Sequence, residues 1–180
     1  LKGLRQVKVE PNKQMTPDAI GYLVAYLAEV FSGGTAFKTI LDPVAGTGNL
    51  LTTVMNHLQS ITKQAMRGFA VDNDDSLLEI AGISSELQQL DTTLFHQDAI
   101  EPLMIEPVGL AVADLPIGFY PIDERAQDFE TRAQTGHSYA HHLLIEQTMH
   151  YVQDGGFGFF LVPNVILETD EAKQLVKWVT

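Results

Sequence analysis

The sequence predicts an open α/β fold, a mostly parallel sheet with helices on both faces, and three observations carry that expectation. Short apolar runs of the kind that fill buried strands alternate with stretches whose apolar residues recur at helical spacing. Four of the five loops that follow the predicted strands carry an aspartate at, or within two residues of, their first residue. The first of them runs through ILDPVAGTGNLL, residues 40 to 51, where an apolar run stops at Asp42-Pro43 and turns through Gly46 and Gly48 into another apolar run.

Taken in order, Thr16-Pro17-Asp18 has the form of a helix N-cap, a first-turn proline and a first-turn acid. Ile20, Leu23, Val24, Leu27, Val30 and Phe31 follow at helical spacing until Gly33-Gly34 ends the helix. Residues 38 to 41 read as a short buried strand, 49 to about 57 as a helix, and 68 to 72 as a second strand. Leu77, Ile80, Leu87 and Leu90 then mark a helical face, and 92 to 95 a third strand. A fourth strand at 109 to 113 leads into a proline-rich loop, a helix from about 138 to 152, a strand from 157 to 162 and a helix from 171 to 179. Strands separated by helices imply right-handed crossovers, and in such sheets a ligand lies beyond the carboxyl ends of the strands. The loops to examine therefore begin at Asp42, Asp72, His96, Asp114 and Val162.

Composition narrows the class. With 180 residues, 45% of them hydrophobic, the chain suits a single domain spanning residues 1 to 180 with one sizeable core. The absence of cysteine removes disulfides and thiolate metal sites and points to a cytoplasmic setting. No run reaches the roughly 18 apolar residues of a membrane span, and LKGLRQVKVEPNK lacks the apolar centre of a secretory signal. A start at Leu1 suggests a fragment of a longer chain. The net charge of -12, from 23 acidic and 11 basic residues, repels phosphate backbones, so DNA is expected as a partner only with additional domains or subunits.

The glycine turn favours an anionic ligand, since glycine lets the backbone approach closely and the helix after it presents free N–H groups. It is not a dinucleotide fingerprint, because Leu51 stands where the third glycine belongs, and it lacks the Gly-Lys-Ser/Thr of a P-loop. Asp72 closes the second strand at the offset where an acid accepts from ribose hydroxyls, and Asp98 follows the third strand where a carboxylate could accept from an adenine amino group. Each of these aspartates is also an ordinary cap or turn residue. His137 and His141 stand four apart, but without a clear third ligand no metal is expected. The DNDD cluster at 72 to 75 lacks the glycine and terminal glutamate of a calcium loop and reads as helix capping.

DPVAGTGNLL resembles the first motif of class I S-adenosylmethionine-dependent methyltransferases, in the form typical of amino-methylating, adenine-specific DNA enzymes. QMTPDAIGYLVAYL resembles the Thr-Pro helix of the same group, GFAVDNDDSLLEIA its second motif, HQDA its third and ADLPIGFY its catalytic loop. DGGFGFFLVPNVIL is similar to the fifth-strand segment of type I restriction modification subunits. The resemblance implies a Rossmann-like core with S-adenosyl-L-methionine as cofactor. Thr16, Asp42, Pro43, Ala45, Gly46, Gly48, Asn49, Leu50, Asp72, Asn73, Asp98 and Ala99 would bind that cofactor. Asp114 and the Leu115 carbonyl would accept the protons of the reacting amine and Pro116 would stiffen the turn, while Ile117 takes the place of a base-stacking aromatic, with Phe119 and Tyr120 nearby. The inherited reaction is methyl transfer to adenine in DNA. A module that binds cofactor without turnover, and methylation of a protein glutamine, are the alternatives; a nicotinamide oxidoreductase is disfavoured by Leu51. The family usually ends in an antiparallel hairpin that this chain stops short of, which would leave the phenylalanine-rich fifth strand as an edge open to self-association.

Overall fold

The computed structural model describes residues 15–168 and 172–180. The expected start of the last helix at Glu171, and the segment before Met15, lie outside the described residues. The elements are α1 (Asp18–Phe31), β1 (Thr39–Asp42), α2 (Asn49–Thr62), β2 (Arg67–Asp72), α3 (Asp75–Leu87), β3 (Asp91–His96), β4 (Val108–Asp114), α4 (Asp123–Ala126), α5 (Ala140–Met149), β5 (Val152–Leu161) and α6 (Ala172–Val179). The strands form one sheet in the order β3-β2-β1-β4-β5, and every pairing is parallel. The strand order reverses between β1 and β4, so their carboxyl ends open the crevice that such a sheet offers to a ligand.

Helices cover both faces. Val24, Ala25 and Ala28 of α1 pack with Leu51, Val54 and Met55 of α2 on one side of the sheet, against Ile40 and Leu110. On the other side Leu143, Leu144 and Ile145 of α5 and Leu175 of α6 close over Leu41, Val71 and Ala111. β5 begins earlier than its aromatic run suggests, at Val152, with an irregularity opposite Val108 and Leu110. It pairs with β4 alone among the described strands, while Phe157, Phe159 and Leu161 rest half-buried on the α1–α2 layer.

The helical faces differ from those that large apolar residues predict. α3 buries Leu78, Ala81 and Ser85, leaving Ile80, Ile83 and Leu87 exposed, and Leu90 lies beyond its end. α1 buries Gly21, Val24, Ala25 and Ala28 and exposes Leu23, Val30 and Phe31. In both helices small residues form the contact because they let the backbones approach: a Cβ on Gly21 would lie 2.8 Å from Thr53 Cγ2. The expected helix from 138 to 152 is shorter, and the loop before it holds the single turn of α4. Thr16 is not the cap of α1. Pro17 occupies that position in extended conformation, and no side chain caps the helix start.

Gly48 is the N-cap of α2 with φ +75°, and a Cβ there would meet Ala81 Cβ at 2.9 Å. Replacing Gly48 with alanine combines a left-handed backbone, costing about 1–2 kcal/mol, with a clash against the Ala81 methyl of α3. The expected loss is about 2 kcal/mol or more, read as a lower urea midpoint, with partial recovery in Gly48→Ala/Ala81→Gly. Full stability of the single variant would contradict the packing argument.

Candidate functional site

The carboxyl ends of the strands enclose a cavity of about 530 Å³. The glycine turn after β1 forms its floor. Gly46, at φ +53°, has open space where a Cβ would stand, so the backbone is bared to the cavity, and no side chain caps the start of α2 beside it. The two glycines therefore do different work: Gly46 leaves room for a ligand, and Gly48 leaves room for α3.

Asp42, the last residue of β1, is 1% exposed and sits beneath the turn rather than in the cavity wall. Its Oδ1 accepts from the Val44 N–H at 3.2 Å. Burial is the main force raising its pKa to about 8; the Val44 hydrogen bond opposes this, and the charges of Asp72 and Asp114 add to it. Burial thus favours the protonated form of Asp42.

Asp72, at the end of β2, lines the cavity and also builds it. Its two oxygens accept from the Gly46 N–H at 2.7 Å and the Asp74 N–H at 2.8 Å, tying the first and second loops together. A carboxylate has about four acceptor positions, so two remain for a ligand. The next acid, Asp74, caps α3 through the Ser76 and Leu77 N–H groups, as the capping reading of the DNDD cluster expects.

Asp98, beyond β3, is also in the wall, together with Asn73 and Ala99. Its Oδ1 accepts from the Ile100 N–H at 3.0 Å, and its Oδ2 from the Tyr120 hydroxyl at 2.6 Å and Arg125 at 3.1 Å. These last two partners come from the loop after β4, and sequence alone gave no sign of them.

That loop brings Asp114, Leu115, Pro116, Ile117 and Tyr120 into the same cavity. Asp114 Oδ2 accepts from the Thr16 hydroxyl at 2.8 Å, a contact across 98 residues. Asn49 fastens the approach to α1 in turn, donating to the Thr16 carbonyl at 2.6 Å and to Asp18 at 2.9 Å. The Thr-Pro segment is thereby a strap tied into the cavity wall. Leu115 is buried and donates its N–H to Leu161.

Of the predicted residues, Thr16, Pro43, Ala45, Gly46, Asn49, Asp72, Asn73, Asp98, Ala99, Asp114, Leu115, Pro116, Ile117 and Tyr120 line one cavity. Asp42, Gly48 and Leu50 do not: Asp42 lies beneath the turn, and Gly48 and Leu50 are buried in the packing around α2. Phe119 lies outside as well, its ring stacked on Tyr139 with centroids 4.6 Å apart. Sequence reasoning missed Val44, Thr47, Leu77, Gln97 and Leu144 in the wall, most of them neighbours of residues it did select. His137 and His141 do not act together: His137 is exposed and bonds Asp123 at 2.9 Å, whereas His141 is buried against Tyr139. Burial lowers the pKa of His141, against a hydrogen bond to the Pro116 backbone. Among the described residues no group of three His, Cys, Asp or Glu side chains is arranged to hold a metal.

No family model matches the chain. It is 46% identical over 175 residues to the uncharacterized protein YtxK of Bacillus subtilis, a match covering 97% of this chain and 52% of that protein. Among solved structures it superimposes on a provisionally assigned class I S-adenosylmethionine-dependent methyltransferase from Listeria monocytogenes with TM-score 0.91 and 43% identity, covering 99% of this chain and 55% of that one. The type I restriction-modification methyltransferase subunit of Streptococcus thermophilus shares the fold at TM-score 0.74 and 14% identity, over 93% of this chain and 38% of the subunit. The chain thus spans about half the length of its more similar relatives. An all-parallel five-stranded sheet, a glycine turn at its switch point and these likenesses together identify the fold as that of the class I S-adenosylmethionine-dependent methyltransferases.

Proposed function

We propose that the cavity binds S-adenosylmethionine and that the domain transfers a methyl group to an exocyclic amine, with adenine in DNA the leading acceptor. The observation that carries this reading is that Asp114-Leu115-Pro116 enters the same cavity as the glycine turn, Asp72 and Asp98. The residues present suit such a cofactor. Open space at Gly46 and an uncapped helix start favour a carboxylate, Asp72 keeps acceptor positions for ribose hydroxyls, and Asp98 keeps one for an amino group. Bound there, the cofactor supplies an electrophilic methyl on sulfur.

The protein's share of the work is alignment and proton acceptance. Displacement at a sulfonium methyl forms a C–N bond as the C–S bond breaks, and the amine then loses a proton. Asp114, held by Thr16 through Oδ2, offers Oδ1 to the amine's N–H groups, and the Leu115 carbonyl follows it in the loop. Proton acceptance at that position orients the amine lone pair.

The opening test is calorimetric titration with S-adenosylmethionine and with NAD, where only the former should bind. Asp72→Ala should weaken that binding by about 1.5–3 kcal/mol, because it removes charge-assisted hydrogen bonds and unties the Gly46 N–H. A folded Asp72→Ala protein with unchanged affinity would refute the ribose assignment.

A second reading, binding without turnover, is favoured by the acceptor side of the cavity. Ile117, 61% exposed, stands where the resembling enzymes carry an aromatic, and Phe119 is committed to Tyr139 rather than free to replace it. Base stacking on an aromatic is worth about 1–3 kcal/mol, which this loop forgoes. Transfer to a protein glutamine remains the other alternative, since an amide nitrogen needs no stacking face.

A further inference from the structure

We infer that Tyr120 and Arg125 set the cavity's selectivity for a purine bearing an amino group, by donating to Asp98 and leaving its carboxyl oxygens about one acceptor position for the ligand. The inference rests on the cofactor reading above and extends it to two residues on the loop after β4.

Three donors converge on Asp98: the Ile100 N–H on Oδ1, and the Tyr120 hydroxyl and Arg125 on Oδ2. Arg125 brings a positive charge, and its second terminal nitrogen is pinned to Glu101 at 2.6 Å. Tyr120 is 6% exposed, and burial together with its bond to Asp98 pushes its pKa up to about 12, so the hydroxyl remains a donor throughout the working range. A carboxylate with about four acceptor positions and three donors in place has about one left. Every contact in this arrangement uses Asp98 as an acceptor. A cavity ligand facing it must therefore bring an N–H. A 6-amino purine does so at position 6, whereas a 6-oxo purine sets oxygen lone pairs against the carboxylate at that position and carries its nearest N–H one ring atom away, at N1.

The two donors are themselves well held. The Tyr120 N–H bonds the Ser138 carbonyl at 2.8 Å and the Ala140 N–H bonds the Gly118 carbonyl at 2.9 Å, clamping the loop to the start of α5. Tyr120 and Arg125 are thus positioning residues, acting through Asp98.

The test compares S-adenosylhomocysteine with S-inosylhomocysteine, which differs at purine position 6, by calorimetric titration of the wild-type protein, Tyr120→Phe and Arg125→Met. The wild type should prefer the amino ligand by about tenfold or more, the effect of one buried hydrogen bond together with the repulsion that replaces it. Each variant should narrow that preference at least threefold, since a carboxylate released from one of its donors can rotate away from the position that discriminates the ligands. A preference unchanged in both variants, or equal weakening of both ligands, overturns the inference, the latter because it marks a merely structural role. Arg125→Met guards against misfolding of Tyr120→Phe, and thermal melts of both check it. Failure of the wild type to bind S-adenosylhomocysteine would defeat the cofactor reading and this inference with it; binding without the expected shift defeats the inference alone.

Discussion

Replacing Asp114 with alanine is expected to lower methyl transfer by about 10²–10⁴-fold, the usual contribution of a positioned proton acceptor. Binding of S-adenosylmethionine should change far less, because the acid that ties the glycine turn is Asp72 and Asp114 touches the strap through Thr16 instead. The measurement is transfer of tritiated methyl to duplex DNA, single-stranded DNA and a protein extract, run beside the wild type. Labelling that survives Asp114→Ala would remove the residue from the reaction. The same assay probes the acceptor, since a net charge of -12 predicts slow labelling of duplex DNA by this chain on its own. Rapid duplex labelling would mean that the acidic surface presents no barrier, and preferential labelling of protein would favour the glutamine alternative.

The second large effect concerns Asp42. Its carboxyl is raised from 3.8 to about 8, chiefly by burial, so the folded protein retains a proton that the unfolded chain releases over that interval. For an acid whose pKa is raised by folding, the stabilising contribution is complete below the unfolded pKa and is lost as pH rises through the folded one. Stability should therefore fall between about pH 4 and pH 8 on this residue's account, by several kcal/mol in total. Asparagine keeps a carbonyl for the Val44 N–H and cannot ionise. Asp42→Asn should accordingly melt above the wild type at pH 8.5, with the gap closing toward pH 4. Equal melting temperatures at pH 8.5, or a less stable variant there, would show that the buried acid is not penalised as described.

The strand-end aspartates and the glycine turn were legible because their meaning is local: each sits where a strand stops, and a parallel sheet collects such ends on one edge. What the sequence concealed is mostly non-local. Thr16 has the composition of a cap, yet its hydroxyl is claimed by Asp114, 98 residues away, and Pro17 takes the capping position. Tyr120 and Arg125 reach Asp98 across a long loop whose spacing says nothing about where it folds back. The helix faces failed for a different reason. Hydropathy ranks Ile80 and Leu87 above Ala81, but the close approach of α3 to Gly48 is made at Ala81, where a larger side chain would not fit, so the face carrying Ala81 turns inward and Ile80 and Leu87 are left outside. Phe119 fell out of the site because another aromatic, Tyr139, offered it a stacking partner.

The strand order also sets a schedule for assembly. β1 pairs with β2 along Thr39 to Asp42, a partner fewer than thirty residues on, but its other neighbour begins at Val108, with Ile40 opposite Leu110. Closing a loop of that length costs entropy before any pairing rewards it, so distant parallel ladders form late. A chain leaving the ribosome can therefore complete β1, α2, β2, α3 and β3 as one consecutive unit, with Gly46, Asp72 and Asp98 already at its edge. Asp114 and Tyr120 arrive only when β4 docks on the opposite side of β1, held there by β5. On the proposed reading, the half assigned to the cofactor thus precedes the half assigned to the acceptor, and a nascent chain would gain ligand-dependent stability before Asp114 is in place.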